Sequence, residues 1–226
     1  MQNKITTILK HICKTEKRML LCAVGVGIAL MFSVAVVQAI AYAETTQADI
    51  ANEVVRLHIL ANSDNEADQA VKLLVRDGLL PHFSALLADA DGKADAYAVL
   101  AGELKNIEVE ATAILHANGF GYGARASLSR VYFPTRHYGD IALPAGEYDA
   151  LRIELGTGGG QNWWCMLFPP LCYVDITQTE VSPALKEELD ALLTTEGATL
   201  VTRSKDADVR IRFKIVEIWQ EIKAAF

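Results

Sequence analysis

The chain has 226 residues, a formal net charge of −7 and 51% hydrophobic residues, which allows one or at most two compact domains around a core of ordinary size. With 22% charged residues and no long polar tract it is not a disordered chain, and four cysteines at this length do not make a disulfide-dense miniprotein. The surplus of acid offers no cationic face for phosphate, which argues against nonspecific nucleic-acid binding.

Residues 1–18 carry Lys4, Lys10, Lys14, Lys17 and Arg18 against the single acid Glu16, and residues 19–37 (MLLCAVGVGIALMFSVAVV) then run without a charge. Ala41-Tyr42-Ala43 follows, a small-x-small site. Together these predict a secretory signal cut after Ala43. Nineteen uncharged residues also suffice to span a bilayer, so an uncleaved signal anchor is the alternative. Both readings divide the chain into a signal or anchor, 1–43, and a single extracytoplasmic domain, 44–226, with membrane contact through residues 19–37. Removing 1–43 takes away five bases and one acid, which moves the net charge from −7 to −11. It also takes Cys13 and Cys22 and leaves Cys165 and Cys172. An even pair outside the cytoplasm reads as one disulfide, worth about 2–3 kcal/mol for so short a loop; two reduced, buried thiols are the other reading.

In chain order, residues 53–61 (EVVRLHILA) predict a strand. Ser63 with Glu66 three residues later forms a capping-box pattern that opens a helix with Ala67, Val71, Leu74 and Val75 on its apolar face. Gly78 and Pro81 predict a kink or break before Phe83, Leu86 and Leu87. After a turn at Asp91-Gly92-Lys93, the three-and-four spacing of Tyr97, Leu100, Leu104, Ile107, Ala111 and Ile114 predicts a long helix that stops at Asn118-Gly119. Residues 124–133 and 147–155 read as two hairpin-like strands joined through Pro134 and a Pro144-Ala145-Gly146 turn. An uncharged stretch between Glu154 and Asp175 is too broken by glycine and Pro-Pro to cross a membrane as a helix. Ser182-Pro183 opens a helix to about Thr195, and the alternation of Val209, Ile211, Phe213 and Ile215 predicts a last strand. The fold expected is α+β, a small mixed sheet with helices packed mainly on one face.

Catalytic chemistry is sparse. Ser63-Asp64-Asn65 spells the S-D-N of penicillin-binding proteins, but the S-x-x-K and K-T-G that complete that set are missing, so the triplet reads as a strand-to-helix cap. Gly156, Gly158, Gly159 and Gly160 lack the Gly-Lys-Ser/Thr of a phosphate loop and read as a turn or a close backbone contact. His58, His82, His116 and His137 show no zinc-ligand spacing, and His58 reads as a satisfied, half-buried strand residue. Cys165 with His137 would make a nucleophile pair, for which a disulfide to Cys172 is the simpler alternative. No catalytic, cofactor or metal residue is expected. Residues 161–172 stand out instead: Trp163, Trp164, Phe168, Pro169 and Pro170 supply a large apolar surface that is either an anchor for a partner or membrane, or core.

Three runs carry a family resemblance. They are residues 56–77, with RLHILANSD, Asp68-Gln69 and KLLVRD; residues 143–153, with LPAGEY and ALRI; and residues 160–172, with GQNWWC and LFPPLC. Phe213-Lys214-Ile215-Val216-Glu217 fits as well. Over residues 53–219 the chain resembles the stage II sporulation protein R family. The resemblance implies an exported, noncatalytic signal, made in the forespore and acting in the space between forespore and mother cell. Its implied partner is a membrane-embedded aspartic protease that removes the pro-sequence of the sigma-E precursor. The Trp163 to Cys172 region is expected to be part of the contact with that receptor or the framework that shapes it. The alternatives from other classes are an extracytoplasmic enzyme using Cys165 and a membrane-anchored cell-wall-binding module.

Overall fold

The computed structural model describes residues 2–172, 181–202 and 207–225; Asp175, which closes the uncharged stretch, lies outside them. Contacts divide the chain into two compact units, Met1–Tyr42 and Ala43–Phe226. The first is helical. It belongs to α1 (Gln2–Glu53), whose run from Met19 onward is long and apolar enough to cross a membrane. Its large apolar side chains between Met19 and Val37 are exposed, as lipid-facing residues are. Ala41-Tyr42-Ala43 sits inside α1.

The second unit opens with the last residues of α1, where Ala43, Ile50 and Ala51 are buried. It continues through β1 (Val55–Leu60), α2 (Glu66–Leu86), α3 (Lys93–Ala117), β2 (Ala124–Phe133), β3 (Arg136–Tyr138), β4 (Ile141–Leu143), β5 (Gly146–Leu155), β6 (Asn162–Phe168), α4 (Pro183–Leu192), α5 (Thr195–Thr202) and α6 (Ala207–Ala224). The main sheet has the order β2-β5-β1-β6. β1 runs parallel to β5, and β2 and β6 pair antiparallel at the two edges. β3 and β4 form a separate two-stranded ladder within the β2–β5 connection. This is the α+β fold with a small mixed sheet that the sequence predicts.

β1 is buried on both faces along its whole length, because it lies in the middle of the sheet. Val55, Leu57 and Ile59 point into one face, where Leu151, Ile153 and Leu155 of β5 join them against Val71, Val75, Leu79 and Phe83 of α2 and Leu100, Ile107, Ala111 and Leu115 of α3. The long helix expected from the spacing of Tyr97 to Ile114 is α3, and it ends at Asn118 and Gly119, the latter at φ +85°. The opposite face carries the alternate residues Arg56, His58 and Leu60, with Tyr148 and Ala150 of β5, Phe133 of β2, and Trp164 and Met166 of β6.

Four local expectations are corrected. The N-cap of α2 is Asn65, whose side chain accepts from the Asp68 backbone N–H at 2.7 Å; the Ser63 hydroxyl is engaged with the Asp68 carboxylate instead. α2 runs unbroken through Gly78 and Pro81. A side chain at Gly78 would lie 2.6 Å from Ile114 Cδ1, so this glycine permits α2 and α3 to approach rather than marking a break. Buried Leu79 and Phe83 flank Pro81 and hold the helix through it. The segment predicted as a last strand is helical, within α6. The aromatic segment is the edge strand β6.

The glycine-rich turn after β5 is a site of close backbone approach, as read from the sequence. A Cβ at Gly160 would lie 2.3 Å from the Ser63 carbonyl oxygen, an atom that cannot rotate away. Gly102, on the exposed surface of α3, has nothing within 4 Å. Gly160→Ala is therefore expected to destabilise the chain by about 1–3 kcal/mol, while Gly102→Ala stabilises it by about 0.5–1 kcal/mol. Urea midpoints of the two variants of the full chain, measured side by side, check both signs.

Candidate functional site

At the C-terminal end of β1 the backbone enters a polar knot centred on Asp68. Its Oδ2 accepts from the Ser63 hydroxyl at 2.6 Å, Asn62 Nδ2 at 2.9 Å and Asn65 Nδ2 at 3.0 Å, and its Oδ1 accepts from the Tyr122 hydroxyl at 2.5 Å. Burial alone would push this carboxyl up. The four donors, Ser63 and Tyr122 foremost, outweigh it and hold Asp68 below the usual carboxylate range. The position at the third residue of α2 adds the favourable end of the helix dipole. Asn62 reaches the other way: its Oδ1 accepts from the Thr157 N–H at 3.0 Å, and its carbonyl accepts from the Thr157 hydroxyl and the Gly159 N–H. Asp64 accepts from the Gln161 N–H at 2.7 Å, and Lys72 donates to the Gln161 carbonyl at 3.0 Å. Asn62 and Asp64 thus clamp the glycine turn, while within Ser63-Asp64-Asn65 the cap of α2 is Asn65.

The second sheet face is organised by Arg56, which is fully buried. Its guanidinium carbon lies 4.2 Å from the Phe133 ring centre and 4.9 Å from that of Tyr148. Nε donates to the Cys165 carbonyl at 2.9 Å and Nη2 to the Tyr138 hydroxyl at 3.1 Å, and Tyr138 in turn donates to the Trp164 carbonyl at 3.3 Å. Two aromatic faces and two oxygen acceptors take the place of a carboxylate. Arg56, Asp68, Tyr122 and Tyr138 are the organising residues that sequence reasoning missed. The available signal was one arginine inside an otherwise apolar central strand.

The aromatic segment resolves into two opposite roles. Trp163 points to the α2 side, under the Arg76 guanidinium at 4.2 Å, and Trp164 points to the other side, stacked on His58 at 3.8 Å and edge-on to Phe133 at 4.6 Å. Both are half-buried. Phe168 and Pro169 are buried, joined by a cis peptide bond, and Pro170 is exposed. Cys165 and Cys172 are bonded to each other, with Cα atoms 5.5 Å apart, so Cys165 carries no free thiol. The closed loop folds back so that the Leu171 and Cys172 N–H groups donate to the Met166 carbonyl at 3.1 and 3.2 Å. With the Trp164 carbonyl met by Tyr138, two carbonyls of the edge strand β6 are satisfied from outside the ladder. Beside it lies a cavity of about 320 Å³ lined by Tyr138, Asn162, Trp164, Leu171 and the disulfide, with Arg136 and His137 at its rim. Among the described residues no cluster of His, Cys, Asp or Glu is arranged to hold a metal ion.

His58 is fully buried rather than half-buried, and only partly satisfied: its Nε2 donates to Asn162 Oδ1 at 2.9 Å, while its Nδ1 is buried with no hydrogen-bond partner. Burial pushes its pKa down to about 4, against the smaller opposing effect of Asn162.

Residues 51–178, more than half of the chain, match the family model described as stage II sporulation protein R, and the chain belongs to that family. Among curated proteins it is 38% identical over 141 residues to the stage II sporulation protein R of Bacillus subtilis (strain 168), a match that spans 62% of either chain. No solved structure matches. The matched residues contain the Asp68 clamp, Arg56, both tryptophans and the disulfide.

The two titrating groups predict two separate acid-sensitive windows. The unfolded chain protonates His58 near its ordinary value of 6.5 while the folded chain resists until about 4, so stability is expected to fall as pH drops through that interval. His58→Gln should flatten that slope. Asp68 contributes stability above the unfolded carboxylate value near 3.9, and loses it as pH falls through its depressed folded value. Asp68→Ala should cost about 1–3 kcal/mol at pH 7 by removing the charged acceptor that its four half-buried or exposed donors share. Urea midpoints of the full chain and both variants from pH 8 to pH 3 separate the two contributions.

Proposed function

We propose that this chain is the exported signal of endospore formation that switches on the membrane-embedded aspartic protease which processes the sigma-E precursor. Family membership carries the reading. The apolar helix that begins at Met19 supports export or anchoring, and the Cys165–Cys172 disulfide supports an oxidising, extracytoplasmic setting, taken here as the space between forespore and mother cell. The chain acts without a reaction of its own. It binds the protease's outer face in its active arrangement more tightly than in its inactive one, which is the only way a ligand can shift that equilibrium.

The Trp163 to Cys172 segment serves mainly as framework in this reading. Its large rings are half-buried against Arg76 and His58, and its disulfide loop carries the exposed Pro170. Contact falls to the rim, Arg136, His137 and Pro170, rather than to the indole rings.

Co-expression of the protease and the sigma-E precursor in a non-sporulating bacterial host, with and without this chain, tests the proposal by precursor size on a blot. Cleavage is expected only with the chain present. Arg136→Ala or Pro170→Ala should lower the cleaved fraction several-fold with the far-UV spectrum unchanged, while Trp164→Ala should lower both cleavage and folding. Absence of cleavage, with the chain shown to be exported and folded, overturns the reading and brings forward a wall-binding or enzymatic role.

A further inference from the structure

α6 has two apolar faces. Val209, Phe213, Val216 and Gln220 recur at spacings of four, three and four and are buried, which is the side that packs on the domain. Ile211, Ile215, Ile218 and Ile222 recur at the same spacings. At 3.6 residues per turn these four fall within roughly 60° of one another, on the opposite side of the helix. Ile211, Ile218 and Ile222 are 66%, 54% and 46% exposed, and Ile215 is half-buried. A helix face that meets only water is ordinarily polar, and β-branched residues weaken a helix relative to leucine or alanine. Isoleucines along the outward face therefore gain this fold nothing by themselves. Their 4-3-4 spacing is that of the core seam of a coiled coil.

We infer that this stripe is an interface between two copies of the chain, packed as antiparallel α6 helices about a two-fold axis that passes between Ile215 and Ile218. Each Ile215 then meets the partner's Ile218, and each Ile211 meets the partner's Ile222. Charge selects this arrangement. Lys214, which also pairs with Glu217 of its own helix, and Glu221 border the stripe one heptad apart on the same flank, and both are exposed. The antiparallel two-fold sets Lys214 beside the partner's Glu221 and, by symmetry, Glu221 beside the partner's Lys214. A parallel pairing sets Lys214 beside the partner's Trp219 and brings no opposite charges together. The residues that border the stripe are of mixed sign, Arg212 and Lys214 with Glu221, so no uniformly cationic border marks it for an anionic lipid surface. The stripe lies beyond residues 51–178 that match the family model, so the inference stands apart from the functional reading above. Two three-turn stripes bury less than the roughly 1,200 Å² of a standard interface, so the association is reversible and concentration-dependent.

Cysteine trapping in whole cells tests orientation and contact together, in full-length chains that carry Cys13→Ser and Cys22→Ser and retain the Cys165–Cys172 disulfide. Ile211→Cys and Ile222→Cys chains, each present at equal level on a blot, are expressed separately and together and then oxidised. Co-expression is expected to give a covalent dimer at several-fold higher yield than either variant alone. Adding Ile218→Asp to both chains should reduce that yield at least tenfold with the far-UV spectrum unchanged. Lys214→Glu should reduce it, and Lys214→Glu with Glu221→Lys in the same chain should restore it. No dimer on co-expression, a dimer that prefers like with like, or a yield indifferent to Ile218→Asp each overturns the interface.

Discussion

A carboxylate removed from water costs several kcal/mol unless its lone pairs are met, and Asp68 is met by four side chains from two separate stretches of chain, 62–65 and Tyr122. Asn62 and Ser63 leave the end of β1, Asn65 caps α2, and Tyr122 stands just before β2. Charge-assisted bonds of about 1.5–3 kcal/mol each more than offset the burial, but only when both stretches are in place at once. The glycine turn between β5 and β6 is held secondarily, through the other atoms of Asn62 and through Asp64. One charge therefore fixes where β1 stops, where α2 starts and where β6 begins. The register of the edge strand, and with it the disulfide loop, inherits that geometry.

The two faces of the sheet solve the burial problem differently. Against α2 and α3 the solution is aliphatic, and the interaction is proportional to area and indifferent to direction. On the other face Arg56 occupies the centre, and its contacts are directional: two rings, two oxygens. A leucine at that position would fill the space, but it would not hold the Cys165 carbonyl or orient Tyr138 toward Trp164. The guanidinium therefore places an edge rather than merely filling a core. Satisfying carbonyls on that edge matters for an exported domain, because an open strand edge pairs readily with other chains.

Periodicity made much of this architecture legible. Strands β1, β2 and β5 and helix α3 follow from alternation or three-and-four spacing, because each presents a single well-defined face to one core. The failures have a common physical cause, which is that a local pattern has more than one partner to satisfy. Ser63 satisfies the pattern of a cap, but Asp68 competes for its hydroxyl and Asn65 takes the cap. Pro81 breaks isolated helices, yet here buried neighbours on either side outweigh one lost backbone bond. Trp163 and Trp164 read as one patch because they are adjacent, whereas a strand sends neighbours to opposite faces. In residues 209–215, alternation looked like a strand because both faces of α6 are apolar. The i, i+4 pairs Val209 with Phe213 and Ile211 with Ile215 belong to opposite sides of one helix.

That last ambiguity bears on how the proposed signal would act. To move a receptor from one part in a hundred active to ninety-nine requires about 5.5 kcal/mol of preference between its states. A single rim of the kind that flanks the disulfide loop must supply all of it by discriminating two shapes of one receptor. A two-fold ligand needs only that the receptor's active form bring two copies together, since the second contact is then made at the effective concentration set by the first. A rigid clamp at one end of the sheet, a partly satisfied edge and a weak symmetric helix interface are the components such a bridge requires. Under the proposed function, a weak α6 contact would leave the chain largely monomeric in transit and let it pair where receptors concentrate it.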